Sequence, residues 1–270
     1  MTRFDRDTAV EPVAPGRFRA RLDPGWWIIA GPNGGYMAAV ILRAIQATVG
    51  DAERVPRSLT VHYTRRPEGE DAEIETTIER AGRSLSTVTA RLVQGDRLLA
   101  HAVAALSRPR AGLALQHARP PEVIPFARAE ARRGPPSVGV VLPFHQQFDV
   151  RWAIPETPFS GAGRARSAAW IRLAEPRPVD APLLATIADS LPPAVFSLAR
   201  ERGEIGPVPT IDLTVHFRAP LPPAGVSPDD HLLATFETRM VSEGFLEEDG
   251  EIWTAGGVLL AQSRQLAILD

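Results

Sequence analysis

Three polar side chains stand in apolar stretches where a reaction could use them. Asp189 lies among Leu184, Ile187, Ala188 and Leu191 in a segment of helical spacing, and a carboxylate without compensation is costly if that helix is buried. One reading makes it an acid partly stripped of water, with a raised pKa, that accepts a hydrogen bond from water as general base or as positioner. The other turns it to solvent near Pro192-Pro193 or pairs it with an arginine. Gln265 interrupts an apolar final strand beside Arg264, either as a working amide or as an edge-strand side chain in solvent. Thr210 opens a β segment, a place threonine also takes for β propensity and turn bonding. Asn33-Gly34-Gly35-Tyr36 opens a helix. Glycines there leave room beside backbone N–H groups at the positive end of the helix dipole, which suits an oxyanion or a bound substrate. They suit a helix cap and a close helix-sheet crossing equally well.

These residues must be positioned by elements that occur twice. Leu59-Thr60-Val61-His62-Tyr63 returns 154 residues later as Leu213-Thr214-Val215-His216-Phe217, and Gly95 to Ala100 is echoed 161 residues later by Gly256 to Ala261. A helical pattern precedes each copy, Gly35 to Val49 in the first half and Ala181 to Arg200 in the second. Gly35, Ala39 and Arg43 form a stripe at four-residue spacing that is matched 146 residues on by Ala181, Ala185 and Asp189. β-branched runs bounded by turn residues predict strands over Phe18 to Leu22, Ala72 to Arg80, Leu85 to Gln94 and Leu98 to Leu106. In the second half they predict Ala168 to Leu173, Leu232 to Val241, Ile252 to Ala255 and Val258 to Leu269. Seven prolines between Arg108 and Phe144, including Pro120-Pro121 and Pro135-Pro136, mark a linker. The expected organisation is therefore an N-terminal domain over 1–107, a linker region over 108–165 and a C-terminal domain over 166–270. Each domain is α+β, a single helix buried against the concave face of an antiparallel sheet. Gln265 has Ala104 as its counterpart, so the polar amide occurs only in the half that carries Asp189, as one site per chain would require.

Composition removes several chemistries. With 44% hydrophobic and 23% charged residues in 270, the chain reads as globular, and a formal charge of −2 gives no global reason to expect nucleic acid as a partner. All thirty basic residues are arginine, which excludes a Schiff-base or phosphate-loop lysine. The absence of cysteine excludes disulfides, thiolate metal sites and a cysteine nucleophile, and fits a cytoplasmic address. The six histidines do not fall at metal-ligand spacing with carboxylates, so no metal or other cofactor is implied. Met1 to Arg21 lacks a signal-peptide apolar core, and the run Met37 to Ile45 is broken by Arg43, so no membrane insertion is expected. Trp26-Trp27 and Tyr36 flank the first helix and would line a ligand channel or pack in the core. Arg65, Arg66, Arg108 and Arg110 would meet phosphates or face water.

The ordered set of motifs resembles the acyl-CoA thioesterase II family of double-hotdog thioesterases along the full length. In the first half, Gly34-Gly35-Tyr36, Arg66-Pro67 and Gly82-Arg83-Ser84-Leu85-Ser86 carry the likeness. In the second, Ala168, Trp170-Ile171-Arg172, Ala188-Asp189-Ser190-Leu191, Thr210-Ile211-Asp212 and Leu260-Ala261-Gln262-Ser263-Arg264-Gln265 follow in order. The resemblance implies two tandem hotdog domains and hydrolysis of acyl-CoA thioesters to free fatty acid and CoA, by a water held between Asp189, Thr210 and Gln265. It implies no covalent intermediate, and places the oxyanion or substrate against Gly34, Gly35 and Tyr36. Val61 and Leu213 stand where some members carry histidine, so substrate preference does not carry over. Association of copies through the hotdog sheets is a further expectation. Two other readings stay open: a non-catalytic acyl-thioester-binding protein, and a hotdog enoyl-thioester hydratase or dehydratase, for which the usual Gly-Asp-x-Asn-Pro context is missing.

Overall fold

A computed structural model describes residues 1–29, 31–129 and 142–269, so part of the linker, with Pro135-Pro136, lies outside the described residues. The first half runs α1 (Arg3–Asp7), β1 (Val10–Ala14), β2 (Arg17–Arg21), the short ribbon β3 (Trp27–Ile28) and β4 (Gly31–Pro32), and α2 (Gly34–Val49). It continues through β5 (Val55–Tyr63), β6 (Asp71–Ala81), β7 (Leu85–Gln94) and β8 (Arg97–Ser107). The second half runs β9 (Phe148–Trp152), β10 (Ala165–Leu173), α3 (Ala181–Ile187), β11 (Thr210–Phe217), β12 (Leu232–Thr238), β13 (Val241–Ser242), β14 (Phe245–Trp253) and β15 (Leu259–Ile268).

Apart from the β3–β4 ribbon, these strands form one antiparallel sheet in the order β1-β2-β6-β7-β8-β5-β11-β15-β14-β12-β10-β9, with β13 on β14. Read outward from the centre, the two arms are the same series of elements. The duplication sets the register of the seam: β5 and β11 pair with Thr60 opposite Thr214, the two positions related by the 154-residue offset, and Ser58 opposite His216 mirrors Asp212 opposite His62. A local twofold therefore passes between Thr60 and Thr214, whose hydroxyls share a hydrogen bond of 3.0 Å. β9, inside the segment read as linker, is the counterpart of β1 and completes the outer edge by pairing with β10.

The helices fill the concave side. α2 is apolar on nearly every face because the sheet covers one side and α3 another, and Ala38 through Leu42 are fully buried. Asn33 caps its N-terminus and Gly50 ends it in the left-handed conformation, φ 62°. The helices run antiparallel and touch closely. A Cβ at Gly35 would come within 2.8 Å of the Ala185 and Thr186 carbonyl oxygens. At the other end Arg43 reaches the Asp180 carboxylate at 3.9 Å.

Two of the expected elements differ most in extent. The second helix stops at Ile187 rather than continuing to Arg200, because Pro192 and Pro193 have no N–H and disfavour helix in the residue before them. A tight turn follows, with Asp189 N bonding Thr186 O at 3.3 Å and Ser190 N bonding Ile187 O at 3.1 Å. The strand expected over Ile252 to Ala255 is nine residues long and begins at Phe245. Its acidic stretch Glu247-Glu248-Asp249-Gly250-Glu251 hides the strand from a reading based on β-branched runs.

Candidate active site

The site is built where the N-terminus of α2 meets the turn after α3. That turn, rather than mid-helix, is where Asp189 lies, and the carboxylate is directed at the first turn of α2. Oδ2 accepts from Gly35 N at 3.0 Å and from Asn33 Nδ2 at 2.9 Å, and Asn33 Nδ2 also donates to the Asp189 main-chain oxygen at 2.7 Å. A carboxylate is favoured at the positive end of a helix. Burial outweighs this and raises the Asp189 pKa to about 6, against the lowering effect of the Gly35, Asn33 and Gly34 donors. The alternative of an arginine-paired or solvent-directed acid is thereby replaced by an acid held across the two halves.

Gly34 and Gly35 are required by proximity. A Cβ at Gly34 would sit 3.0 Å from Asp189 Oδ2 and 3.1 Å from Tyr63 Cζ. Tyr63, at the end of β5, donates its hydroxyl to Gly34 O at 2.7 Å. Burial, followed by the charges of Asp189 and Asp212, pushes its phenol well above the ordinary value, so it remains a donor. Tyr36 is not at the site. Its ring stacks on Trp26 at 5.2 Å, its hydroxyl donates to Asp7 O at 2.5 Å, and its amide is taken by Asn33 Oδ1 at 2.9 Å. Trp26 is likewise core, with its indole N–H on Asp7 at 3.0 Å. The reading of Tyr36 as oxyanion or substrate ligand is corrected accordingly: the first-turn amide is consumed by the helix cap.

Thr210 and Gln265 are brought together directly. Thr210 Oγ1 donates to Gln265 Oε1 at 3.0 Å. Gln265 is 6% exposed and lies on β15, an interior strand between β11 and β14, which excludes the edge-strand reading. Its Nε2 donates to Glu248 Oε1 at 2.8 Å, and Glu248 Oε2 accepts from Ala194 N at 2.6 Å. Glu248, on β14 and 3% exposed, was not singled out by the sequence. Burial, against the donors from Ala194 and Gln265 and with the nearby charges of Asp189 and Glu247, raises its pKa to about 7. Asp189 makes no hydrogen bond to Thr210 or Gln265, and its charge is one of the lesser influences that raise the Glu248 pKa.

The pseudo-equivalent position in the first half carries none of this. The counterpart of Asp189 is Arg43, which α1 ties down through Thr8 Oγ1 at 2.8 Å and Asp5 at 3.0 Å. The counterparts of Thr210 and Gln265 are Pro56 and Ala104. At these matched positions the carboxylate, the hydroxyl and the amide stand in the second half.

Comparison with known proteins gives the family and the fold. The family model of the acyl-CoA thioesterase N-terminal domain matches residues 23–107, and that of the acyl-CoA thioesterase C-terminal domain matches residues 120–269. An uncharacterised Mycobacterium tuberculosis protein, Rv0499, is 27% identical over 277 residues, 93% of this chain and 90% of its own. A protein of unknown function with a hot dog fold from Alicyclobacillus acidocaldarius has a TM-score of 0.87 at 26% identity, over 100% of this chain and 98% of that one. The acyl-CoA thioesterase II TesB2 from Mycobacterium marinum shares the fold, with a TM-score of 0.77 at 21% identity over 99% of this chain and 98% of its own. Two thioesterase domains in tandem account for most of the sequence, and the chain belongs to the acyl-CoA thioesterase family, with the double-hotdog architecture.

Proposed function

We propose that the protein hydrolyses acyl-CoA thioesters to free fatty acid and CoA in the cytoplasm, using a water positioned by Asp189, Thr210 and Gln265. The observation that carries this reading is the Asp189 carboxylate, fixed by Asn33 and Gly35 and with a pKa of about 6. Such an acid is mostly ionised at neutral pH yet more basic than an ordinary aspartate, as a general base should be. Its Oδ1 takes no bond from Asn33 or Gly35, whose donors fall on Oδ2, and is assigned to the water.

Thr210 commits its hydroxyl hydrogen to Gln265, so its lone pairs accept from the water. Gln265 commits one Nε2 hydrogen to Glu248 and has a second for the water oxygen or the developing oxyanion. The water oxygen attacks the thioester carbonyl carbon while its proton passes to Asp189. The tetrahedral oxyanion then collapses, the carbon–sulfur bond breaks, and the proton returns to the CoA thiolate. Once protonated, Asp189 is a weaker acceptor, and the Gly34 and Gly35 amides it held become available to the oxyanion at the helix N-terminus. Thioesters are reactive acyl donors, so alignment and charge stabilisation suffice without a covalent intermediate.

The test is thiol release from acyl-CoAs of short to long chain by the wild type and by Asp189→Ala, with folding checked by circular dichroism. Turnover by the wild type and a loss of about 100-fold or more in the folded variant are expected of a general base. A wild type that binds acyl-CoA and releases no thiol would overturn hydrolysis in favour of a binding protein.

A further inference from the structure

We infer that Glu248 is a positioning residue for the reaction, orienting the Gln265 amide so that its oxygen faces Thr210 and its nitrogen faces away. The inference rests on the reading of Gln265 as part of the water cradle. An amide side chain has two ends of nearly equal shape and opposite hydrogen-bonding character, and can turn either towards a hydroxyl. In its ionised form Glu248 only accepts, so its Oε1, 2.8 Å from Gln265 Nε2, then admits the NH2 end alone. Gln265 Oε1 is then left for Thr210, whose hydroxyl hydrogen is thereby fixed at 3.0 Å. One acid sets the polarity of the whole chain of donors and acceptors.

The duplication supplies an internal control. Glu248 stands opposite Gln265 in the β14–β15 pairing, and Gln265 stands opposite Leu213 of β11. The same lattice positions in the first half are Val88 opposite Ala104 and Ala104 opposite Leu59. The fold is thus satisfied by valine and alanine where it performs no chemistry, and it takes a buried acid beside the amide only in the half that carries Asp189. Burying a carboxylate is unfavourable unless its lone pairs are occupied. Its second oxygen is anchored by Ala194 N at 2.6 Å. Ala194 is the first residue after Pro192-Pro193 with a backbone N–H, and it opens a short 3-10 helix, Ala194–Ser197, whose first amides have no partner within it. The proline break that ends α3 early therefore delivers the amide that holds Glu248.

The test is a double-mutant cycle of Glu248→Val, Gln265→Ala and the double variant, the last recreating the first-half pair, assayed by thiol release. Glu248→Val is expected to lower kcat about tenfold or more, with KM changed less than threefold. The double variant should be within twofold of Gln265→Ala alone, because an acid that acts through Gln265 has nothing left to orient. An unchanged kcat in Glu248→Val, or losses that multiply in the double variant, would overturn the inference. Should Glu248→Val not fold, Glu248→Gln keeps the volume while allowing Gln265 to turn round, and the same fall in kcat is expected. The side-chain amide of Gln265, assigned in 1H–15N spectra by its loss in Gln265→Ala, gives a readout without substrate. It should lie apart from solvent-exposed amides in the wild type and move towards them in Glu248→Val; an unmoved signal contradicts the inference. If the wild type releases no thiol, hydrolysis fails as a reading while the spectra still decide whether Glu248 orients the amide.

Discussion

Replacing Asp189 by asparagine should make the protein more stable and inactive at once. The side chains are nearly isosteric, and an amide oxygen can accept from both Gly35 N and Asn33 Nδ2, so the cross-half contacts survive. What is lost is a charge that the fold holds against burial. The Asp189 pKa rises from 3.8 to about 6 on folding. Below about pH 4 the group is protonated in both folded and unfolded chains and contributes no penalty. Between about 4 and 6 the unfolded chain ionises first and the penalty grows; above 6 it is constant. At about 1.4 kcal/mol per pKa unit the ceiling is about 3 kcal/mol, and the partial exposure of the residue reduces this to about 1–3 kcal/mol. Removing it should raise Tm by about 2–4 °C per kcal/mol gained. The assay is thermal unfolding of both proteins from pH 4 to 8. The Tm advantage of Asp189→Asn should be full at pH 7 and shrink towards zero at pH 4. A variant that is less stable at pH 7, or whose advantage is the same at pH 4, would refute the claim that Asp189 is a strained, charge-bearing group.

Three further outcomes follow from the same geometry. The kcat/KM profile should fall on the acid side with a midpoint near pH 6, because the base must be ionised, and this limb should broaden through coupling to Glu248, whose own value is about 7; a flat profile from pH 5 to 7 would contradict the assignment. Gly35→Ala would place a Cβ 2.8 Å from the Ala185 and Thr186 carbonyls and should destabilise by about 1–3 kcal/mol in urea unfolding, with turnover reduced as Asp189 shifts. Thr60→Val leaves the Thr214 hydroxyl without its partner at the seam and should cost about 1 kcal/mol, whereas the Thr60→Val/Thr214→Val pair should be nearer the wild type; equal effects of single and double replacement would show that the bond is not what matters there.

Much of this architecture is legible in the residues because duplication repeats the signal. The β-branched run Leu85 to Gln94 coincides with β7, and the repeat that matches Thr60 to Thr214 marks the two strands that meet at the seam, whose pairing and register come from the structure. What escaped was set by forces that sequence spacing does not display. The acids Glu247, Asp249 and Glu251 mask β14, whose buried alternate positions are Leu246, Glu248, Gly250 and Ile252. The helical spacing of the second half runs on through Ala188 to Arg200, but Pro192-Pro193 cannot continue the helix, which ends at Ile187. Asp189 and Gln265 are visible as polar residues out of place, and Thr210 only through the family resemblance. Their partners are not: Asn33 lies 156 residues from Asp189, and Glu248 hides in a run of five polar or glycine residues. The signal that could have found Glu248 is the same comparison of halves that singled out Gln265, applied one strand further to Val88. The sequence does not separate the two uses of Tyr36, because a helix N-terminus feeds its amides to a cap as readily as to a ligand.

The decisive measurement is steady-state thiol release from the best acyl-CoA by the wild type and Asp189→Asn at pH 7.5, on samples shown to be folded by their melting curves. A fall of about 100-fold or more in kcat with an intact fold is expected if Asp189 activates the water. Asp189→Asn turning over at the wild-type rate would contradict it.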